Sequence, residues 1–142
     1  NCHSKLHEVI ALSQAIGAGA DEALMLDVNG FVSTCNATNF FIVRNGEVWT
    51  STGSYCMNGV TRSKVISVCE KKGIVVRQKD FSLVDVYSAD EAFVTGTFGG
   101  LTPVIEVDRQ RLPYEAIPGE MTSRLSELYN QEIDDYIERA KQ

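Results

Sequence analysis

Two Asn-Gly steps, each set between two short apolar runs, constrain the fold of this chain more than any other feature of the sequence. The Asn-Gly pair is typical of the type I′ turn, in which both central residues have positive φ and the flanking strands pair antiparallel. The sequence therefore predicts two β-hairpins. They join Ala23–Asp27 to Phe31–Cys35 through Asn29-Gly30, and Asn39–Arg44 to Glu47–Ser51 through Asn45-Gly46.

Segments with helical periodicity lie on both sides of this β-rich block. Apolar residues recur at helical spacing in Leu6–Ile16, with Ser4 as the predicted N-cap and Gly17 at the end. The next predicted helix is Arg62–Lys72, and Gly73 is its C-terminal stop. The remaining predictions are strands at Ile74–Val76, Glu91–Thr97 and Thr102–Asp108, and a short helix at Leu83–Tyr87.

The first and last predicted helices each carry an apolar face that we expect to be buried. In the first helix this face contains Leu6, Val9 and Ile10. The last helix follows Pro118-Gly119, and we expect its apolar stripe to pack on the domain rather than on a partner. The stripe consists of Met121, Leu125, Leu128, Tyr129, Ile133, Tyr136 and Ile137.

Composition places the chain among ordinary globular proteins. It has 142 residues, of which 44% are hydrophobic and 23% charged, and this length suits one domain. The net charge of −6 argues against nucleic acid as the main partner, and no apolar run reaches the roughly 18 residues of a membrane span. Because residue 1 is Asn rather than Met, we expect the chain to be either a fragment of a longer protein or a processed chain.

The four cysteines form neither a metal-binding nor a disulfide pattern. None lies in a C-x-x-C motif, and Cys2 and His3 are adjacent, which makes them poor tetrahedral partners for zinc. We therefore expect no metal site. Free thiols in a reducing cytosol are the simpler interpretation, with Cys35 and Cys69 in the core.

Two loops are rich in hydrogen-bond donors. Asn58–Arg62 directly precedes a predicted helix, where free N–H groups and the helix dipole suit a phosphate. On this signal alone Thr61 is more simply an N-cap, and Arg62 could either assist an anion or form a structural ion pair. Thr95–Gly100 joins two predicted strands, looks too long for a tight hairpin, and could form an anion-binding nest or a flexible connection. Together the two loops favour an anionic cofactor or substrate.

Lys5 is a further candidate. It is the only lysine before Lys64, and it lies at the start of the first predicted helix. A lysine in a suitable environment can form a Schiff base with a carbonyl compound. From position alone, a solvated lysine is the simpler interpretation.

Taken in order, these pieces resemble the large C-terminal domain of the class IV, fold-type IV aminotransferases that use pyridoxal phosphate. That family includes branched-chain and D-amino-acid aminotransferases and aminodeoxychorismate lyase. Each matching segment is weak alone, but their order and spacing together make a specific match. The resemblance lies in Gly19–Gly30, Asn39–Val43, Gly59–Arg62, Ala89–Thr97 and Thr102–Val104.

The resemblance implies roles for residues in both donor-rich loops. Val60 and Thr61 match the phosphate site before a helix, where backbone and hydroxyl bind the cofactor phosphate. Thr97 matches the second phosphate-binding threonine. Phe98 and Gly99 match the turn that receives the substrate carboxylate. A phosphate-binding arginine and side-chain pocket residues would belong to a smaller N-terminal domain outside this chain.

Two departures from the family pattern affect the ring end of the cofactor site. Five residues before the asparagine that matches Asn39, the family has a glutamate that bonds the pyridine nitrogen, whereas this sequence has Thr34. A neutral hydroxyl stabilises a protonated pyridine less than a carboxylate does. The family's Schiff-base lysine would fall at or just before Asn1. Either that lysine lies upstream, or Lys5 replaces it from the next helical turn, or the aminotransferase activity is lost.

The resemblance therefore implies that residues 1–142 form a C-terminal cofactor-binding domain of mixed α/β class, a twisted β-sheet pseudo-barrel with flanking helices. The implied function is pyridoxal-phosphate-dependent amino-group transfer between a branched-chain-like amino acid and a 2-oxo acid. A cytoplasmic homodimer, without nucleic-acid or membrane partners, is expected. The alternatives are a related lyase, a D-amino-acid aminotransferase, or a catalytically inactive member that acts as a binding module. We expect the isolated chain to be inactive, because the N-terminal domain would supply half of the substrate pocket.

Overall fold

The computed structural model describes residues 4–141, and these residues form four helices and nine strands. Within these residues no helix combines the length and the apolar character that a membrane span requires. The elements are α1 (Leu6–Gly17), β1 (Leu24–Leu26), β2 (Val32–Cys35), β3 (Asn39–Arg44), β4 (Glu47–Thr50), α2 (Val60–Lys71), β5 (Val76–Gln78), α3 (Leu83–Tyr87), β6 (Glu91–Gly96), β7 (Gly100–Pro103), β8 (Glu106–Val107), β9 (Gln110–Arg111) and α4 (Glu120–Ala140).

Five strands form the central sheet, in the order β5-β4-β3-β6-β7. The β4–β5 pair is parallel, and the other neighbours are antiparallel. The β1–β2 and β8–β9 pairs form two separate two-stranded ribbons. The predicted mixed α/β class is confirmed, with β3 and β6 at the centre of the sheet.

The two central strands are buried on both faces, because alternate side chains of a strand meet different layers. Phe41 of β3 and Phe93 of β6 pack with α2 and α4, and their rings stack with centroids 4.9 Å apart. Phe40 and Ile42 pack in the opposite layer with residues of β2 and α3. Helix α2 therefore lies on the same face of the sheet as the odd-numbered residues of β3 and β6.

The two Asn-Gly steps form different turns. Asn45 and Gly46 have φ of 50° and 76°, which confirms the predicted type I′ turn. The same prediction for Asn29-Gly30 is wrong, because only Gly30 has positive φ. There the Asp27 carboxylate accepts hydrogen bonds from the N–H groups of Asn29 and Phe31, at 2.8 and 3.0 Å. The aspartate thus fixes a three-residue loop instead of a two-residue turn.

Helix α1 differs from the prediction at its start and on its face. Its N-cap is Lys5, in the left-handed conformation with φ of 44°, and not Ser4. No residue of α1 is buried, and Leu6, Val9 and Ile10 are each more than half exposed. The predicted burial of this face is therefore wrong among the described residues, because no described element covers it.

The apolar stripe of α4 divides into two halves. Leu125 is buried in the core, and Met121, Leu128 and Tyr129 pack against the same cluster. The second half of the stripe is exposed, so the expected packing on the domain holds for the first half only. The exposed residues are Ile133, Tyr136 and Ile137.

Two predicted strands are displaced. Ile74 is buried, and its N–H donates to the Cys69 carbonyl, 2.9 Å away, beyond Gly73 with φ of 69°. Since Ile74 closes the end of α2 in this way, β5 begins only at Val76. The predicted strand Thr102–Asp108 is divided between the end of β7 and β8.

Candidate functional site

The start of α2 is the centre of the candidate site. The helix begins at Val60, two residues earlier than predicted, and its N-cap is Gly59 in an extended conformation. Thr61 is the second residue of the helix and is buried, so the interpretation of Thr61 as N-cap is wrong. Gly59 brings no side chain to the first-turn N–H groups, and no side-chain cap is formed. The positive end of the α2 dipole is thus left without a side-chain cap.

Asn39 of β3 holds the loop that leads into α2. Its Nδ2 donates to the Met57 carbonyl, 2.9 Å away. A Cβ atom at position 59 would come within 2.5 Å of Asn39 Oδ1, so a side chain there would displace the Asn39 amide. The close approach of Gly59 to β3 therefore depends on the absence of a side chain.

Arg62 has a structural role, but through other partners than the ion pair that the sequence suggested as one alternative. Its guanidinium is buried and donates to Asn58 Oδ1 and the Ser51 carbonyl, both at 2.7 Å, and to Gln78 Oε1 at 3.0 Å. All three acceptors are neutral, so these contacts are not the ion pair that the sequence left open. Burial lowers the pKa of the guanidinium. Arg62 thus ties the loop before α2 to β5.

The second donor-rich loop is a tight hairpin, which corrects the expectation that it was too long for one. β6 and β7 pair as far as Gly96 opposite Gly100, and three residues form the turn. Gly100 has φ of 59°, which lets the chain reverse within this short distance. Thr97, Phe98 and Gly99 are all exposed at the turn.

The beginning of β3 lies between the two loops. Asn39 is paired with Thr95 of β6 on one side and contacts the Met57–Gly59 loop on the other. A Cβ atom at Gly96 would lie 3.2 Å from the Thr38 side chain. The structure therefore brings Asn39 together with the start of α2 and the end of β6.

Thr34 lies beside Asn39. Its hydroxyl donates to the Thr38 carbonyl at 2.8 Å and faces Asn39 Nδ2 at 3.4 Å. Because the hydroxyl proton is used within the protein, Thr34 offers a ligand at most a lone pair. No carboxylate occupies this position.

Glu22 is a carboxylate near Thr38 that the sequence reasoning did not single out. Its Oε2 accepts a hydrogen bond from the Thr38 hydroxyl at 2.5 Å. Burial, together with the Glu22 charge, raises the pKa of the neighbouring Cys35 thiol far above its usual range. The signal available in the sequence was its place in the Gly19–Gly30 segment, directly before the first strand.

Lys5 is separated from these residues by its own contacts. Its ammonium lies 3.5 Å from the Glu8 carboxylate, and its side chain is 57% exposed. Among the described residues, no hydrogen bond or ion pair joins Lys5 to Thr34, Asn39 or α2. Asn1, where the family pattern would put its lysine, lies outside the described residues, as do Cys2 and His3. Within residues 4–141 no group of three or more His, Cys, Asp or Glu side chains is arranged to hold a metal ion.

An open helix N-terminus is a general way for proteins to bind phosphate esters, and it makes this class of site the candidate here. Sequence comparison narrows this class. Residues 2–107 match the model of the amino-transferase class IV family, and the chain belongs to that family.

Three known proteins show the extent of the similarity. The branched-chain-amino-acid aminotransferase of Pseudomonas aeruginosa is 36% identical over 124 residues, which cover 87% of this chain and 40% of that protein. The branched-chain aminotransferase of Thermoproteus uzoniensis, crystallised with norvaline, superposes with a TM-score of 0.82 at 35% identity, covering 89% of this chain and 42% of that one. An aminotransferase of Brucella abortus, bound to its cofactor pyridoxal phosphate, gives a TM-score of 0.82 at 33% identity, covering 89% and 44%.

These neighbours confirm the predicted fold-type IV architecture. The chain spans less than half the length of the relatives it matches. What those relatives do as complete proteins therefore enters below as a proposal for this one.

Proposed function

We propose that this chain binds the phosphate group of pyridoxal phosphate at the start of α2, and that the protein containing it transfers amino groups between a branched-chain-like amino acid and a 2-oxo acid. The observation that carries the proposal is the N-terminus of α2, which has no side-chain cap and has Gly59 packed against Asn39. An anionic ester placed there would accept hydrogen bonds from free backbone N–H groups and interact favourably with the helix dipole.

The residues around this helix start fit such a group. Backbone N–H groups of Val60 and Thr61 and the Thr61 hydroxyl would bind phosphate oxygens, and Thr97 would close the site from the β6–β7 turn. Asn39 lies between these two parts and fixes the loop before α2 through its bond to the Met57 carbonyl. In the same turn, Phe98 and Gly99 would present backbone N–H groups to the substrate carboxylate.

The part of the site that would face the pyridine ring offers fewer groups to bind the cofactor. When bound, pyridoxal phosphate supplies the carbonyl carbon that accepts the amino group and a conjugated ring that takes up electrons. The carboxylate that would hold a proton on the ring nitrogen is replaced by Thr34, whose own proton is donated to the Thr38 carbonyl. This observation favours a second candidate function, a family member that binds the cofactor but transfers amino groups slowly or not at all.

Lys5 remains the proposed covalent lysine of this chain on the family resemblance alone. Its left-handed N-cap conformation places it before the helical turn from which it was expected to reach the upstream position. Borohydride reduction of the cofactor-loaded protein, followed by peptide mapping, is expected to find a pyridoxyl group on Lys5. An adduct on any other lysine, or none, ends this assignment. A homodimer, a cytoplasmic location and the role of residues 1–142 as the C-terminal domain stay predictions of the family resemblance and of the cysteine pattern.

The experiment that tests the proposal is a titration with pyridoxamine 5′-phosphate, which lacks the aldehyde that would react with surface lysines. Removing a hydroxyl that donates to a charged group costs roughly 1.5–3 kcal/mol, which is about ten- to a hundredfold in affinity. Thr61→Ala and Thr97→Ala are each expected to raise the dissociation constant on this scale.

Thr61→Ser and Thr97→Ser keep the hydroxyl and serve as matched controls that should bind like the unmodified protein. Unchanged affinity in both alanine variants would place the phosphate elsewhere. A transamination assay of the protein containing this chain, with a panel of L- and D-amino acids and 2-oxoglutarate, then separates an aminotransferase from a cofactor-binding protein without transfer activity.

A further inference from the structure

Thr95 carries a buried hydroxyl that has no hydrogen-bond partner among residues 4–141. The residue is only 2% exposed, and its Oγ1 is fully enclosed. In that part of the chain the only other such side-chain atom is Nε of Arg62, whose two terminal nitrogens are bonded. An enclosed hydroxyl without a partner destabilises the folded state, so its presence calls for an explanation.

The position of Thr95 in the sheet shows which way the hydroxyl faces. Thr95 of β6 lies directly opposite Asn39 of β3, and Phe93 lies opposite Phe41. Paired residues share one face of an antiparallel sheet, and residues two apart in a strand share it too. The stacked rings of Phe41 and Phe93 pack against α2, so Thr95 also faces the α2 layer.

Within that layer Thr95 lies at the end where α2 starts. Asn39, its cross-strand partner, contacts Gly59 and bonds the Met57 carbonyl. The phenylalanine pair fills the layer farther along the helix. The unpaired hydroxyl of Thr95 is thus enclosed next to a helix N-terminus that has no side-chain cap, and an anion bound there would provide the acceptor that the hydroxyl lacks.

We propose that Thr95 is a third phosphate-binding threonine, which donates its hydroxyl to the phosphate group bound at the start of α2 and completes the set formed with Thr61 and Thr97. This inference rests on the proposed function, because it assumes that a phosphate ester occupies this site. It adds a donor from strand β6 to the donors from α2 and from the β6–β7 turn.

Thr95→Val tests the inference, since valine keeps the shape of threonine and replaces only the hydroxyl. Two effects of opposite sign are expected. The ligand-free variant should unfold at a higher urea concentration, because the unpaired hydroxyl is gone. Its dissociation constant for pyridoxamine 5′-phosphate should rise about tenfold or more, because a hydrogen bond to a charged group is lost.

Pyridoxamine without the phosphate is the matched probe. Its weaker binding should be the same in the unmodified protein and in Thr95→Val, whereas a general change in the site would affect both probes. Thr95→Ser keeps the hydroxyl and should bind both probes like the unmodified protein. If the valine variant does not fold, Thr95→Ala compared with Thr95→Ser tests the hydroxyl instead, because both variants lack the γ-methyl group and only serine keeps the donor.

The outcomes separate this inference from the proposed function. If Thr61→Ala weakens binding of pyridoxamine 5′-phosphate but Thr95→Val does not, the inference is wrong and the phosphate site stands. If the unmodified protein does not distinguish pyridoxamine 5′-phosphate from pyridoxamine, both are wrong. If Thr95→Val lowers the stability of the ligand-free protein and leaves the affinity unchanged, Thr95 has a purely structural role.

Discussion

Helices α2 and α4 start in the same way, but only the first N–H groups of α4 are bonded to a carboxylate. Each has a glycine as N-cap in an extended conformation, Gly59 in α2 and Gly119 in α4, and neither glycine provides a side-chain cap. At α4 the Glu91 carboxylate accepts hydrogen bonds from the N–H groups of Met121 and Thr122, at 2.8 and 2.9 Å. At α2 no such carboxylate is present among the described residues.

Strand β6 places a side chain near the start of each of the two helices. β6 begins with Glu91, which bonds the start of α4, and nears its end with Thr95, whose hydroxyl faces the start of α2 without a partner. Phe93 lies between them on the same face. The N–H groups at the start of α4 are thus bonded to a carboxylate of the protein itself, whereas the start of α2 also has a glycine N-cap but no such carboxylate among the described residues. A bound phosphate ester would make the two ends alike.

The largest expected effect is a loss of stability when the Glu91 carboxylate at the start of α4 is removed. Glu91→Ala removes a buried acceptor of three hydrogen bonds, two from N–H groups and one from the Thr122 hydroxyl at 2.7 Å. We expect the free energy of unfolding to fall by about 2–4 kcal/mol, measured by urea denaturation, with no change in affinity for pyridoxamine 5′-phosphate. Glu120→Gln, an exposed acid in the same helical turn, is the control and should cost about 0.3–1 kcal/mol at most. A similar loss in both variants would contradict the specific role of Glu91.

Substitutions of the two N-cap glycines should have different effects. An added methyl group at Gly59 would meet Asn39 Oδ1 at 2.5 Å, and one at Gly119 would collide with the Glu91 carboxyl group. Such crowding costs about 1–3 kcal/mol. Gly119→Ala should therefore lower stability, whereas Gly59→Ala should mainly weaken pyridoxamine 5′-phosphate binding, about tenfold. Gly17→Ala, where a methyl group meets nothing within 4 Å, is the control for both. Loss of cofactor affinity in Gly119→Ala but not in Gly59→Ala would reverse the comparison.

A third helix start gives the smallest effect. At α3, Asp85 accepts hydrogen bonds from the Ser82 N–H at 2.9 Å and from Arg44 at 2.6 Å. The backbone bond from Ser82, aided by Arg44, holds the pKa of Asp85 below its usual value of 3.8. Because the folded state favours the charged form, Asp85 contributes stability above that value, and the contribution is lost as the pH falls through the lower, folded-state pKa.

Asp85→Asn should consequently cost about 1 kcal/mol near neutral pH. Urea denaturation of both proteins at a series of pH values measures the difference. It should shrink as the pH is lowered below about 3.8 and vanish once Asp85 is protonated in the folded protein too. A difference that stays constant down to pH 2 would show that the charge of Asp85 is not what caps α3.

The parts of the site that follow local rules could be predicted from the sequence. The Gly59–Arg62 segment indicated a helix start with a candidate phosphate site, and the apolar runs of β3 and β6 indicated strands. Sequence reasoning failed where a distant group decides the local structure. Asp27 changes the turn at Asn29-Gly30, and Arg62 bonds residues that only the fold brings near it.

The pairing of Glu91 with α4 was invisible for the same reason, because 30 residues separate the carboxylate from Met121. The exposed face of α1 shows another limit. Helical spacing of Leu6, Val9 and Ile10 gives the position of an apolar face, but it does not give what covers that face. The absence of a hydrogen-bond partner for the Thr95 hydroxyl likewise becomes apparent only when all neighbours are in place.

The central claim is that the start of α2 is open to a phosphate ester while the start of α4 is closed by Glu91. The most direct measurement is a ¹H–¹⁵N NMR titration of the protein with pyridoxamine 5′-phosphate, in which both helix starts are observed in the same spectra. We expect large, saturable shifts of the Val60, Thr61 and Arg62 amides and unchanged Met121 and Thr122 amides. Unmoved amides at residues 60–62, or equal shifts at both helix starts, would contradict it.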